Sequence, residues 1–438
     1  MKRSIKLVFS TNALFLLFSV ITSLLSAWAL KPEGRGDLTI ITMWTFVFSH
    51  IGTFGLPYAH RYWAAREPDW KAKIFSNSII FTVLAGAAMI ALAWFITPVL
   101  TGDKKSDVIN LAQLFALNIP VILLNEMLRG QLEGAKLFGW LGVARLSFIA
   151  TQAVGNAIFY LLGVLTLENA ILIIVLGQII CALLMLLGVW RELKPSLSFD
   201  WSVLRQEISY GLRSYPGILT EIAVWRLDQM MLAIFAPSAI VGLYTVAVAI
   251  AEITSTLASS VADSLMPEVA ANEHRHESTA LLGKTLRLTL YAQFIVLIPL
   301  WIAAPFILRV IYGEGFVEAA GAMRLLLLAS IVWSAAMIVI SGLNGLGHPG
   351  LSTIARLFST ATTVVTLYWL LPLWGMNGAA VSSLLGYGTM LAVALFCLTR
   401  KQGISFWEIL CPRRQDISLE KIKSFLKFDL QLPQKSES

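Results

Sequence analysis

GLRSYPGILTEIAVWRLDQMMLAIF, residues 211–235, has the length and apolar content of a helix that crosses a lipid bilayer, yet it carries Glu221, Arg226 and Asp228 within eight residues. An ionisable side chain at the bilayer centre costs about 2.5–3.5 kcal/mol on insertion scales, so such groups face protein or water rather than lipid. At about 100° per residue, Glu221 and Asp228 share one helical face, with Trp225 between them. Arg226 lies about 200° around the helix from Asp228, so the two cannot simply pair. Arg226 either meets an acid on another helix or extends its guanidinium toward the interface.

The rest of the chain has the same character. Of 438 residues 57% are hydrophobic and 13% charged, and the mean hydropathy is +0.75. A soluble chain would hold about a quarter charged residues. Long apolar stretches, too long for the alternating strands of a barrel, predict an all-α polytopic membrane protein. Twelve spans are expected: 7–30, 38–60, 74–100, 108–128, 140–165, 168–190, 209–236, 239–268, 283–308, 319–342, 351–372 and 376–399. The start, MKRSIK before the apolar run 7–30 with Ala27-Trp28-Ala29 near its end, has the outline of a signal peptide, but the run is long enough to span the bilayer and is read as span 1.

Twenty-four of the 33 Lys and Arg residues fall on one side of this arrangement and five on the other, which places both termini in the cytoplasm. The net charge of +7 therefore reflects membrane topology and does not point to nucleic acid. Three scattered cysteines, Cys181, Cys397 and Cys411, give neither a disulfide framework nor a metal-ligand spacing.

The two halves resemble each other. LEGAKLFGWLGVARL (132–146) aligns without gaps on LNGLGHPGLSTIARL (343–357), a shift of 211 residues that pairs Arg145 with Arg356. Gly177 and Gly388 keep this shift, and Gly36 and Gly242 nearly do. Six spans per half give repeats of parallel orientation, with a substrate path expected between them. The predicted organisation is a six-helix lobe at 1–197, a second at 198–402 and a basic amphipathic tail at 403–438 lying on the inner membrane surface.

Polar residues form stripes on the first two spans of each half. Span 8 aligns Glu252, Thr256, Ser259 and Asp263, and span 7 aligns Glu221 with Asp228. Span 1 aligns Asn12, Ser19, Ser23 and Ser26, and span 2 aligns Thr39, Thr42, Ser49, Thr53 and His60. A central hydrophilic cavity would explain these faces, and interhelical hydrogen bonding would account for the hydroxyls alone. Arg145 and Arg356 sit at equivalent depths and could bind a diphosphate, since guanidinium forks match phosphate oxygens; snorkelling to headgroups is the alternative. His50 and His60 are candidate proton sites. No Walker A loop, dinucleotide fingerprint or zinc spacing occurs, the loops expected outside are short, and neither an enzyme nor a cofactor is expected.

The segment FAPSAIVGLYTVAVAIAEITSTLASSVADSLMPEVA (235–270) resembles bacterial polysaccharide-export flippases. These are Wzx-type O-antigen and polysaccharide biosynthesis transporters of the multidrug/oligosaccharidyl-lipid/polysaccharide superfamily. The motifs are Arg226-x-Asp228, Val241-Gly242-x-Tyr244, Ala247 and Pro267, and KPEGRGDL (31–38) is similar to the family's Gly-rich link between spans 1 and 2. The resemblance implies two six-helix lobes around a cavity lined by spans 1, 2, 7 and 8. It also implies alternating-access transfer of an undecaprenyl-diphosphate-linked oligosaccharide from the cytoplasmic to the periplasmic leaflet of the inner membrane. Arg226, Arg145, Arg356 and His60 are then candidates for diphosphate and sugar contacts. Glu221, Asp228, Glu252 and Asp263 are candidates for sugar binding or for coupling to H⁺ or Na⁺. Membrane lipids and polysaccharide assembly proteins are the other implied partners. Spans 1 and 2 lack the arginine cluster of lipid II flippases and two further spans are absent, so lipid II is not the expected cargo. A drug/cation antiporter of the same superfamily is the nearest alternative, and a membrane glycosyltransferase or polymerase a more distant one.

Overall fold

The structure, a computed structural model, describes residues 2–102, 104–193, 198–271 and 275–402, and among the described residues it contains helices and no strand. The amphipathic tail and Cys411 lie outside the described residues. Helix α1 (Lys2–Ile51) carries the first predicted span and most of the second, broken at Lys31, where φ is 58° and ψ 178°. Pro32 follows, and a proline both lacks the N–H a helix needs and pushes its predecessor out of helical geometry.

The second predicted span is not continuous. Helix α1 stops at Ile51, Phe54 and Gly55 turn the chain with φ of 47° and 76°, and α2 (Leu56–Arg66) restarts with Pro57 in its first turn. After α3 (Lys71–Thr101), the fourth predicted span is likewise two pieces. They are α4 (Ser106–Ala116) and α5 (Ile119–Gly134), bent by 42° where Pro120 opens the second piece. Then come α6 (Phe138–Leu161), α7 (Leu167–Leu193), α8 (Trp201–Phe235) and α9 (Ser238–Ala271). These are followed by α10 (Arg275–Ile302), the short α11 (Ala304–Ile307), α12 (Ala320–Gly345) and α13 (Pro349–Gln402). Helix α13 holds the last two predicted spans, separated at Gly375 (φ 52°, ψ −129°).

Among the described residues, seven helical stretches are long and apolar enough to cross a membrane, or eight when the bent α4–α5 pair counts as one span. Two of the seven, 38 and 53 residues long, have length for two crossings, since one needs about 20 residues. Helices α6 and α8 are not among these stretches.

By their contacts the residues form two compact units, one of Met1–Val246 with Arg309–Phe316, the other of Ala247–Leu308 with Val317–Ser438. The first unit is built on apolar clusters such as Leu128, Leu132, Leu141, Met185 and Val189 from α5, α6 and α7. In the second, α12 is the most enclosed helix and is apolar on nearly every side, as a helix surrounded by others must be.

Local geometry repeats where the sequence repeats. Helices α5 and α12 end alike: Leu137 N donates to Leu132 O at 2.8 Å, and His348 N to Leu343 O at 2.9 Å. Lys136 and Gly347, also 211 apart, both take positive φ, 60° and 82°. Gly134 packs on Arg61 and Ala64, while its equivalent Gly345 packs on Met266 and Val269. Within the first unit, Gly36 and Gly242 meet each other. A Cβ on Gly36 would fall 1.7 Å from Ser238 O, and one on Gly242 would fall 2.0 Å from Pro32 O, a reciprocal backbone contact between α1 and α9. Close approach through small residues replaces the hydrophobic drive that lipid removes.

Helix α8 is started by Asp200, whose Oδ1 accepts from the N–H groups of Ser202 and Val203, while Oδ2 lies 2.7 Å from Lys73 Nζ on α3. Lys73 first, then the Ser202 hydroxyl and the Val203 N–H, hold this carboxyl below the usual carboxylate range. A depressed folded-state pKa contributes stability above the unfolded value, and that contribution is lost as the pH falls through the folded value. Asp200→Ala should therefore lower the thermal midpoint at neutral pH. The gap to wild type should close between about pH 5 and about pH 2, as thermal unfolding across that range would show.

Candidate functional site

On α5, Glu126, Arg129 and Glu133 are spaced by three and four residues and so share one face. Arg129 pairs with Glu126, and Glu133 pairs with Arg61 in the middle of α2. Arg61 also stands over the Tyr58 ring, 5.4 Å from its centroid. Arg129 lies within electrostatic range of Glu221 on α8, and Arg145 within range of Arg129, Glu133 and Glu126. The Arg145 guanidinium sits 5.3 Å from the Phe15 ring centroid on α1, is exposed, and makes no ion pair among the described residues. Three guanidiniums and three carboxylates from α2, α5, α6 and α8 thus converge within the first unit. Arg145 and Glu221 are among the residues expected from the sequence, whereas Arg61 and Arg129 fall one residue past the predicted ends of spans 2 and 4. The signal for Arg129 was the 126/129/133 spacing, hidden because the fourth span was ended at residue 128.

The other predicted site residues fall in varied surroundings. Glu221 is exposed, whereas Asp228, on the same face of α8, is buried. Asp228 Oδ2 accepts from the Tyr244 hydroxyl at 2.5 Å, and Oδ1 accepts from Gln229 N at 2.7 Å. Arg226 is half-buried, its guanidinium 5.7 Å from the Trp225 ring centroid. In the second unit Glu252 is exposed and Arg356 half-buried. Asp263 belongs to α9, and its side chain lies outside the described residues. The hydroxyls of the first two spans return mostly to their own helices: Ser19 to Phe15 O, Thr42 to Leu38 O, Ser49 to Thr45 O and Thr53 to His50 O. Ser23 instead meets the Tyr312 hydroxyl at 3.3 Å, and Ser26 accepts from Arg35 at 2.9 Å.

Asp228→Ala would leave the buried Tyr244 hydroxyl without this acceptor, at a cost of about 1–3 kcal/mol. Asp228→Asn keeps an acceptor there. The expected result is a clear loss of thermal stability for Ala and a smaller one for Asn, measured on the purified protein in one detergent.

His60 is wholly enclosed. Its Nε2 is 3.3 Å from Glu207 Oε1 on α8, and its Nδ1 is 3.3 Å from Met127 O on α5. Glu207 Oε2 accepts from Asn77 Nδ2 on α3 at 2.9 Å. The His50 ring lies tilted against Phe46, 3.8 Å between ring centroids, within range of Glu126 and Arg129. Among the described residues no group of three or more His, Cys, Asp and Glu side chains could hold a metal ion.

Residues 25–321 match the family model described as "Polysaccharide biosynthesis protein". An uncharacterized membrane protein of Methanocaldococcus jannaschii is 25% identical over 212 residues, which is 47% of this chain and 42% of that protein. The chain therefore spans less than half the length of that relative. The "Putative O-antigen transporter" of Shigella flexneri is 20% identical over 286 residues, 65% of this chain and 68% of its own. Among solved structures, the lipid II flippase MurJ in an inward closed conformation superposes with a TM-score of 0.78 at 14% identity, covering 97% of this chain and 99% of that one. An inward-facing multidrug resistance MATE family transporter of the MOP superfamily gives 0.72 at 16% identity, covering 89% and 94%. At these identities the structures establish the shared fold.

Proposed function

This chain belongs to the polysaccharide biosynthesis protein family, and we propose that it is a flippase for an undecaprenyl-diphosphate-linked oligosaccharide. In this reading it moves the headgroup from the cytoplasmic to the periplasmic leaflet of the inner membrane, with both termini cytoplasmic, by alternating access coupled to an ion gradient. The observation that carries it is the convergence of Arg61, Arg129 and Arg145 beside Glu126, Glu133 and Glu221 on helices of an otherwise apolar chain. A diphosphate needs charge-assisted donors, and Arg145 has a guanidinium that no carboxylate among the described residues occupies. Each guanidinium has five N–H donors, so Arg61 and Arg129 can keep their carboxylate partners and turn remaining N–H groups to phosphate oxygens. Glu221 supplies an acceptor for sugar hydroxyls.

Arg226 and Arg356 are assigned to further headgroup contacts, and Glu252 and Asp263 to sugar or cation contacts in the second unit. Asp228, tied to Tyr244, takes a positioning role. His60 is too enclosed to meet a sugar, and the reading moves it from cargo contact to ion coupling. The polyprenyl tail stays in lipid throughout, so the protein needs only to hydrate and neutralise the headgroup.

The test is reconstitution in liposomes containing a fluorescently labelled undecaprenyl-diphosphate oligosaccharide, with a membrane-impermeant quencher reporting the outer leaflet. Faster loss of the protected fraction than in protein-free liposomes supports the flippase. No acceleration, together with gradient-driven movement of an organic cation, would replace it with the antiporter.

A further inference from the structure

We propose that His60 and Glu207 form a proton-binding site joining α2 to α8, loaded when the two helices are together and emptied when they part. The inference rests on the transporter reading for its purpose, since it identifies the coupling ion as H⁺, but its geometry stands alone.

The hydrogen bonds around the pair determine how many protons it holds. The Ser78 hydroxyl donates to Ile74 O at 2.6 Å, so its oxygen, 3.5 Å from His60 Nδ1, can act there only as an acceptor. Met127 O is also an acceptor, so His60 Nδ1 carries a hydrogen. The Asn77 amide is oriented by Asp200 N, which donates to its Oδ1 at 3.4 Å, leaving Nδ2 to donate to Glu207 Oε2. What remains is Glu207 Oε1 facing His60 Nε2 at 3.3 Å, with no other donor within reach of that oxygen among the described residues. Without a proton between them, a ring lone pair would face a carboxylate oxygen. With one, either an imidazolium faces a carboxylate or a carboxylic acid faces a neutral ring, and the enclosed pair carries no net charge.

Both side chains are at most 1% exposed. A lone negative charge so enclosed is costly, so loss of the proton favours separation of the helices. On separation the proton leaves His60 Nε2 for water, and neutral His60 and carboxylate Glu207 are each hydrated. The other charges on the surrounding helices have their own partners or face outward. Arg61 of α2 is on Glu133 and Arg129 of α5 on Glu126, Lys73 of α3 is on Asp200, and Arg205 and Arg213 of α8 are exposed. Tyr210 of α8 stacks on Tyr62 of α2, 4.6 Å between ring centroids. Gly55 and Gly211 touch through backbone beside the pair, next to the interruption of the second predicted span, so the two helices approach closely where the proton is held.

The experiment is a distance measurement between nitroxide labels at the exposed positions Ala65 and Gln206, in the full chain with its three native cysteines replaced, held in lipid nanodiscs across a pH series. The expected result is two populations whose ratio changes by up to about tenfold per pH unit, the signature of one proton, with the separated form favoured as pH rises. Glu207→Gln supplies a neutral partner that can donate to Nε2, so it should stay joined at every pH, and His60→Gln should lose the pH response. A wild-type distribution that ignores pH, or a response unchanged in both variants, overturns the proposal. Flipping with a pH-blind distance would remove the site and leave the flippase. A proton-linked distance without flipping would remove the flippase and leave the site.

Discussion

Gly242→Val is expected to leave little or no folded protein. A Cβ at position 242 would fall 2.0 Å from Pro32 O and 2.8 Å from Gly36 N, both backbone atoms of α1. Real side chains are never that close, and no rotamer change can relieve a clash with backbone. The helices must move apart, which removes contacts along the whole crossing and also costs α9 its packing beside Tyr244. Overpacking in ordinary cores costs about 1–3 kcal/mol with side chains free to yield. Here at least about 3 kcal/mol is expected, a large share of the 5–15 kcal/mol that is usual for a folded protein. Gly36→Val should behave alike, because its Cβ would lie 1.7 Å from Ser238 O. The check is size-exclusion profile and thermal midpoint in detergent. Gly388→Ala is the control, since a Cβ there meets nothing within 4 Å and alanine favours the helix. A well-folded Gly242→Val protein would mean that the α1–α9 crossing is looser than the structure has it.

Arg145→Ala is expected to separate function from stability. The residue is exposed and makes no ion pair among the described residues, so its removal should change stability by no more than about 0.5 kcal/mol. If the guanidinium holds a phosphate in the transport cycle, the lost charge-assisted contact is worth about 1.5–3 kcal/mol, a roughly 10- to 150-fold fall in flipping rate. Arg145→Lys keeps the charge but not the fork, and should recover part of that loss. Both are read in the liposome assay on protein whose thermal midpoint matches wild type. Undiminished flipping by Arg145→Ala would remove this residue from the cargo path and with it the main support for the diphosphate site.

Sequence and structure agree on some elements and differ on others for identifiable reasons. The spans were legible because apolar length is a local property that lipid enforces residue by residue. The internal repeat was legible at 132–146 and 343–357, and the structure gives those segments the same helix endings, glycine packing and positive φ. The breaks at residues 52–55 and 117–118 were not, because the apolar run continues through both and the prolines that open α2 and α5 occur in unbroken membrane helices as well. Helical periodicity put Glu221 and Asp228 on one face correctly, but could not say that one end of that face is open and the other closed by Tyr244. Arg129 escaped because a charge near the end of an apolar run reads as loop until the helix is seen to continue to Gly134.

By itself the sequence determined a membrane protein of many helices, the local repeat of 132–146 at 343–357 and its likeness to polysaccharide transporters, because hydropathy, periodicity and internal repeats are carried by neighbouring residues. Only the tertiary structure decided that Glu207, which nothing in its own helix distinguishes, lies against His60 almost 150 positions earlier in the chain. It also decided that Arg61, Arg129 and Arg145 share one charged cluster and that Gly36 meets Gly242. Partnership between distant residues depends on which faces the packed helices turn toward each other, and no local pattern in the chain encodes that choice.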